Sequence, residues 1–207
     1  MKKIILTVIA VTLQFFMLSA PRAEIIGLEQ IKTALMGAVA QSHTVPSDAR
    51  IETGFSPNGQ ALPLVLKTIN SAQSTLDVMA YSFTSAEVTR ALLNASKRGV
   101  KVRIVVDHKH NFQTDRSGKP VAALSALHTA GAQIRSVNAY AIMHDKTIVS
   151  DGRHLQTGSF NYSRAAASSN SENVLVLWNA NSVAQDYTVH FNSRWQQGVP
   201  FNGRGDQ

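Results

Sequence analysis

The sequence contains no cysteine among its 207 residues. This absence excludes a disulfide scaffold, a thiolate zinc site, an iron–sulfur cluster and a thiol nucleophile. Charged residues make up only 16% and aromatic residues 7% of the chain, whereas 44% is hydrophobic. That balance is typical of a folded domain and excludes a wholly disordered chain. At this length, burial of apolar surface can stabilise a single domain without covalent cross-links.

Long apolar runs are also scarce, and the one that occurs lies at the start of the chain. Lys2 and Lys3 precede an apolar stretch over 4–20, and the small residues Ser19, Ala20 and Ala23 lie at or just after its end. A basic start, an apolar stretch and a small-residue exit are typical of a secretory signal, so we expect residues 1–23 to be a cleaved signal peptide. The stretch is short for a spanning helix, which needs ~20 residues, and an uncleaved anchor is the alternative. A cleaved signal predicts a periplasmic or secreted protein without stable membrane association.

Acidic residues are few compared with basic ones. The chain has 13 Asp and Glu against 20 Lys and Arg, a formal net charge of +7. Residues 1–23 hold three of the basic residues and no acid, so the remainder carries a net charge of +4. A surplus of this size is compatible with a polyanionic partner but does not establish one.

Strand and helix patterns alternate along the remaining chain. An amphipathic helix over 25–40 and a polar linker are predicted to form an N-terminal segment, 24–50. From residue 51 to residue 137, helix patterns separate apolar strand patterns. The order predicts an α/β fold: an α-β-α sandwich with a mostly parallel mixed central sheet over 51–199, followed by a frayed tail over 200–207.

Polar residues suited to catalysis gather around a predicted hairpin with a two-residue turn at Asp151-Gly152. Side chains alternate along a strand, so His144 and Lys146 are expected to project from one face. The two-residue turn would place Ser159 opposite His144, and Asn161 would share that face if the strand continued.

This predicted cluster fits a phosphodiester. The ammonium of Lys146, the hydroxyl of Ser159 and the amide of Asn161 can bind non-bridging phosphate oxygens. The imidazole of His144 can attack phosphorus or transfer a proton near neutral pH. Glu172 is predicted to orient that imidazole. Asp151 is included as the next candidate acid, although its place in the turn favours a structural role.

Two other groups of residues have alternative interpretations. Asp107-His108-Lys109-His110 is predicted to be a surface loop, with a substrate rim as the alternative, because it lacks the spacing of a metal site. Phe160 and Tyr162 are expected in the core, with stacking on bases as the alternative.

The pattern His144-x-Lys146-x-x-x-x-Asp151, followed by Gly158-Ser159, Asn161 and Glu172, resembles the signature of the phospholipase D superfamily. Length and signal are most similar to its small, single-motif bacterial endonucleases. The resemblance implies that one histidine attacks phosphorus and a second protonates the leaving oxygen. Water then hydrolyses the phosphohistidine, with no metal and no cofactor.

The sequence contains no second His-x-Lys. The second histidine is therefore expected from another subunit, which predicts a homodimer with the active site at its two-fold interface. The leading hypothesis is a sequence-nonspecific endonuclease that cleaves DNA, with RNA as a second candidate substrate. A phospholipid-directed phosphodiesterase and a non-catalytic nucleic-acid-binding module of a secretion or conjugation system are the alternatives. The intact set of candidate catalytic residues argues against the last of these.

Overall fold

The computed structural model describes residues 40, 42–44 and 46–204. The chain divides into two compact units, Met1–Thr44 and Val45–Gln207. The predicted signal peptide and nearly all of the predicted helix over 25–40 lie outside the described residues. In the part of the chain that is described, no helix is long and apolar enough to cross a membrane.

The second unit is an alternation of strands and helices. Its strands are β1 (Arg50–Ser56), β2 (Thr75–Ala80), β3 (Lys101–Asp107), β4 (Gln133–Val137), β5 (Lys146–Ser150), β6 (His154–Gly158), β7 (Glu172–Trp178) and β8 (Val199–Pro200). Its α-helices are α1 (Ala61–Ser71), α2 (Ala86–Lys97), α3 (Lys119–Thr129), α4 (Arg164–Ser168) and α5 (Asn181–Gln197). A π-helical turn, Lys109–Thr114, follows β3.

The eight strands form one sheet in the order β1-β7-β6-β5-β2-β3-β4-β8. Only β2–β3 and β3–β4 are parallel, and the other five neighbouring pairs are antiparallel. The α/β fold is confirmed, but the prediction of a mostly parallel sheet is wrong. Helical crossovers keep β2, β3 and β4 parallel, whereas the β5–β6 hairpin and the loop with α4 between β6 and β7 return the chain in alternating directions.

Helices cover both faces of the sheet. Alternate residues of β2 show the two layers, because Val78 joins the large core beneath α1, α2 and α3, while Met79 packs against Phe191 of α5. Helix α2 begins where Ser85 caps it, its side chain accepting a hydrogen bond from the backbone N–H of Val88 at 3.2 Å. The predicted strand and helix alternation therefore builds a sandwich.

The last described residues are docked rather than frayed. Pro200 pairs with Arg135 of β4, and Phe201 is buried and stacks on Phe112. The prediction of a frayed tail from residue 200 is therefore wrong for these residues. Burial of the apolar Phe201 ring stabilises this position of the segment.

The topology collects several chain segments at one edge of the sheet. The carboxyl ends of β2 and β3 lie there, and β5 begins there because Ala80 pairs with Lys146. Strand β6 ends at the same edge with Gly158 paired to Val174, and β7 begins there at Glu172. We call this side of the sheet the catalytic edge, since it brings together most of the candidate residues.

Candidate active site

His144 and Lys146 lie at the entrance to β5. His144 is exposed, and its ring packs edge-on against the ring of Tyr81 with 4.7 Å between centroids. Lys146 is only 5% exposed, and its Nζ donates a hydrogen bond to the backbone carbonyl oxygen of His144 at 2.8 Å. The same Nζ lies 5.3 Å from the centroid of the Tyr81 ring. The two motif residues are therefore held together through one tyrosine and one backbone carbonyl.

The surroundings lower the pKa of both groups. Partial burial, aided by the charge of Lys146, lowers the pKa of His144 below its ordinary value. A neutral imidazole, which is the nucleophilic form, is therefore available at lower pH than for a free histidine. Burial also lowers the pKa of Lys146, and the negative charges of Glu172 and Asp145 oppose that effect.

Ser159 and Glu172 form a second linked pair at the catalytic edge. The hydroxyl of Ser159 donates to Oε2 of Glu172 at 2.6 Å, and Asn170 donates to Oε1 at 2.9 Å. Ser159 also accepts a hydrogen bond from the backbone N–H of Asn173 at 3.0 Å. The negative charge of Glu172 also acts on Lys146, whose pKa it raises.

The predicted contact between Glu172 and His144 is not formed within the chain. Among the described residues, no hydrogen bond joins this carboxylate to the imidazole of His144; its oxygens accept from Ser159 and Asn170 instead. Glu172 therefore does not orient the imidazole of its own chain, and its direct electrostatic partner is Lys146.

The predicted hairpin register is wrong by one residue. Ser150 pairs with His154 rather than with Arg153, so the turn contains three residues. Asp151 and Gly152 both have the left-handed backbone conformation expected at such a turn. Ser159 consequently does not lie opposite His144 in the β5–β6 pair; its backbone N–H donates to Asn173 of β7 at 3.1 Å.

Asn161 lies two residues beyond Ser159 and is partly buried. Its Oδ1 is buried without a hydrogen-bond partner among the described residues. A buried amide oxygen of this kind needs a partner, because leaving it unsatisfied costs free energy. The segment is held by the backbone carbonyl of Tyr162, which accepts from Thr84 and Ser85 at 2.8 Å each. Asn161 therefore has unused hydrogen-bonding capacity at this edge.

Asp151 lies at the opposite end of β5 and is separated from the other candidate residues. Its carboxylate accepts hydrogen bonds from the backbone N–H groups of Gln73, Ser74 and Thr75 at 2.8–2.9 Å. Burial alone would raise the pKa of Asp151, but these hydrogen bonds outweigh burial and the pKa lies below its ordinary value. Asp151 fastens the β5–β6 turn to the start of β2, so its inclusion among the catalytic residues is not supported by its position.

Two buried residues support the catalytic edge, and the prediction that Asp107 belongs to a surface loop is wrong, because Asp107 ends β3 and is 2% exposed. Asp107 accepts from the backbone N–H of His110 at 2.6 Å and of Met143 at 2.8 Å. Asn111 is fully buried and donates to the carbonyl oxygens of Tyr81 and Asp107 at 2.7 and 2.8 Å. The sequence did contain a signal for the buried Asp107: a carboxylate at the end of an apolar strand must find hydrogen-bond partners if it is buried.

The aromatic residues of the motif region belong to the core, and the histidine-rich segment does not form a metal cluster. Phe160 and Tyr162 are fully buried, which confirms the core interpretation. No group of three or more potential metal ligands occurs within residues 46–204.

Comparison with known proteins identifies the family. The family model described as "Cardiolipin synthase, PLD-like domain" matches residues 65–195, which include all six candidate residues. The chain belongs to this phospholipase D-like family.

Members with similar sequences carry different names. The crystal structure of Nuc, a phospholipase D family member from Salmonella typhimurium, is 40% identical with a TM-score of 0.71, covering 74% of this chain and 99% of Nuc. "Phospholipase D" of Rickettsia conorii is 32% identical over 63% of this chain and 62% of that protein. "Mitochondrial cardiolipin hydrolase" of Danio rerio is 33% identical over 73% of this chain and 61% of that protein. The chain thus spans about three fifths of these two curated relatives.

Proposed function

We propose that the protein is a metal-independent phosphodiesterase that cleaves DNA, and RNA as a second substrate, without sequence preference. The observation that carries the proposal is the pairing of the exposed His144 with the buried Lys146 at the catalytic edge. The likeness to Nuc over nearly the whole of that chain supports the small single-motif type.

In the proposed reaction, a ring nitrogen of His144 attacks phosphorus and the bond to the leaving nucleoside oxygen breaks. A second, protonated histidine donates its proton to that oxygen. Water then attacks the phosphohistidine, the P–N bond breaks, and the second histidine accepts the proton of the water. Lys146 and Asn161 stabilise the charge on the non-bridging oxygens.

The second histidine is proposed to be the partner subunit's His144 in a two-fold homodimer. One chain supplies one exposed motif histidine, and a two-fold axis brings identical patches together. In this arrangement, the carboxylate that orients each imidazole is Glu172 of the partner subunit, since Glu172 does not contact His144 of its own chain. One composite site per dimer follows.

A phospholipid-directed phosphodiesterase is the second candidate, favoured by a specific surface. Tyr140 and Ile142, close to His144 in the chain, are 38% and 49% exposed. Exposed aromatic and aliphatic side chains beside a site can contact a lipid surface. The names of the two curated relatives are consistent with this candidate.

One assay tests the function. Purified protein is incubated with plasmid DNA, with RNA and with phosphatidylcholine vesicles, each with and without EDTA. We expect nicking of DNA that survives chelation and disappears in His144→Ala, because the covalent route is lost, typically at a cost of several orders of magnitude. His108→Ala is the matched control and should retain activity. Loss of cleavage in EDTA with recovery in Mg²⁺, or hydrolysis of vesicles alone, would overturn the proposal.

A further inference from the structure

A second histidine lies close to the candidate nucleophile in the same chain. The ring of Tyr81 packs against His110 on one side, with 4.3 Å between centroids, and against His144 at 4.7 Å. The influences that lower the pKa of His144 are burial, Lys146 and, more weakly, His110, so the two imidazoles are within electrostatic range. The proposed reaction uses His144 but leaves His110 without a role.

One buried carboxylate binds the backbone of His110 and of the residue that precedes His144. Asp107 accepts the N–H of His110 through Oδ1 and the N–H of Met143, the residue before His144, through Oδ2. Asn111 adds a second brace, since it donates to Tyr81 and accepts from Phe83 at 3.1 Å. The separation of His110 and His144 is therefore built into the fold rather than left to a mobile loop.

The segment that carries His110 presents positive charge to solvent. Lys109, Arg116 and Lys119 are exposed, and Asp115 is the acidic group among them. The carboxylate of Asp115 accepts the hydroxyl of Ser117 at 2.5 Å and interacts electrostatically with His110 and Lys119, but the three basic side chains outnumber it. Cationic side chains and a histidine N–H on one rim suit phosphate oxygens.

We propose that His110 binds a second phosphate, the one next to the phosphate that His144 attacks. This inference rests on the proposed function and deepens it: the site selects substrates with consecutive phosphodiesters, as in a polynucleotide. A polynucleotide carries one phosphate per nucleotide, so a bound strand presents a neighbouring charge wherever it is cut. The Tyr81 ring separates the residues that bind the two phosphates.

The test compares a thymidine dinucleotide, which has one phosphodiester, with the trinucleotide, which has two. Initial rates are measured by chromatography of the products for the full chain and for His110→Ala. We expect His110→Ala to lower kcat/KM for the trinucleotide by roughly tenfold, as for loss of one hydrogen bond to a charged group. The value for the dinucleotide should change by less than about twofold, because the second phosphate is absent.

Two variants sharpen the comparison. His110→Gln keeps an N–H donor and should recover part of the loss on the trinucleotide. His108→Ala is the matched control, because its ring contacts Ser136 at 3.2 Å and Phe112 rather than Tyr81. His108→Ala should leave the ratio of kcat/KM for the trinucleotide to kcat/KM for the dinucleotide unchanged.

Failure of this inference is distinguishable from failure of the proposed function. Equal losses on both substrates in His110→Ala would overturn the second phosphate site and show that His110 acts through Tyr81 and His144. Unchanged rates on both would overturn it as well. If the unsubstituted protein cleaves neither plasmid nor trinucleotide, the proposed function itself fails. Hydrolysis of cardiolipin vesicles alone, with the same dependence on His110, would overturn the assignment to polynucleotides, because that lipid also carries two phosphodiesters.

Discussion

At the scale of single residues, Lys146 shows how opposing influences set a catalytic charge. Burial of the side chain lowers the pKa of its ammonium, and the negative charges of Glu172 and Asp145 oppose that effect. The ammonium also donates a hydrogen bond to the carbonyl oxygen of His144, which holds the charge beside the motif histidine. A buried lysine of this kind is effective toward phosphate because water competes little for it.

Removing the charge of Glu172 should slow the reaction and shift its pH dependence. In Glu172→Gln, a carbonyl oxygen can still accept from Ser159, but the negative charge that raises the pKa of Lys146 is gone. The ammonium then loses its proton at lower pH, so the loss of kcat/KM in Glu172→Gln should grow as the pH rises. We expect a loss of about 10- to 100-fold, as for other residues that orient or support catalytic groups.

Glu52→Gln is the matched control for that measurement. Glu52 lies in β1, where it binds the exposed Lys67 at 2.7 Å, and its loss should leave the pH profile unchanged. A Glu172→Gln protein that keeps the unsubstituted rate from pH 5 to pH 8 would remove Glu172 from the site.

Asp151 should matter for stability and little for chemistry. Asp151→Ala removes the acceptor for three backbone N–H groups and places alanine at φ 55°, so we expect the free energy of unfolding to fall by about 2 kcal/mol. Asp151→Asn keeps one acceptor oxygen and tolerates that φ, so its loss should be smaller. Urea denaturation measures both.

The pH dependence of that stability follows from the lowered pKa of Asp151. The contribution of the ionised carboxylate is present above the pKa of the unfolded chain and is lost as the pH falls through the folded value. The difference between the natural protein and Asp151→Asn should therefore shrink in acid. A large fall in kcat for the folded variants would return Asp151 to the catalytic set.

At the scale of elements, the site depends on how β6 passes into the segment that carries Ser159. Gly158 has φ 146° and faces the backbone of Asn173 in β7 so closely that an added Cβ would overlap its carbonyl oxygen. Only glycine permits this approach, because it has no Cβ and adopts positive φ freely. The glycine of the Gly-Ser step is therefore required for β6 to pack against β7. That packing places the hydroxyl of Ser159 within hydrogen-bond distance of Glu172.

Gly158→Ala should consequently damage both stability and activity. The added Cβ must push β6 and β7 apart or strain the backbone, for an expected loss of about 1–3 kcal/mol, and Ser159 should move with it. Gly152→Ala is the matched control, since its φ is also positive but an added Cβ would meet nothing within 4 Å. It should lose some stability and keep its specific activity. Similar activity losses in the two variants would contradict the packing argument.

At the scale of the whole molecule, the catalytic edge of one chain offers only part of the proposed machinery. It presents one motif histidine, a carboxylate that does not touch that histidine, and a partly buried asparagine with an unsatisfied oxygen. A two-fold arrangement of two such edges doubles the phosphate-binding groups around one phosphate and supplies the second histidine. The proposed function therefore predicts an obligatory dimer.

Mixed dimers test that prediction. Differently tagged chains, one natural and one His144→Ala, are refolded together and the mixed dimer is isolated. We expect it to be inactive, because the shared site needs one neutral and one protonated His144, and the natural dimer should show a bell-shaped pH profile. A mixed dimer with half the natural activity, or an active monomer in sedimentation, would show that each chain has a complete site.

Local patterns predicted much of this fold. The predicted alternation of strands and helices over 51–137 and the predicted hairpin around Asp151-Gly152 are both present in the structure. His144, Lys146, Ser159 and Glu172 were each predicted to belong to one site, and the structure places all four at the catalytic edge, although Glu172 contacts Ser159 rather than His144. These features follow from side-chain period and motif spacing, which are properties of the sequence itself.

Tertiary structure decided how those elements and residues meet. Strand order, the hairpin register and the partner of Glu172 depend on contacts between distant segments, as when β1 pairs with β7 at the opposite end of the chain. The role of Asp107 likewise depends on Met143, since its carboxylate is buried only where the start of β5 meets the end of β3. The sequence by itself determined which chemical groups are available, because residue type and local period are encoded within a few positions. Only the folded chain decided which groups touch, because burial and hydrogen bonding are settled by the packing of segments far apart in sequence.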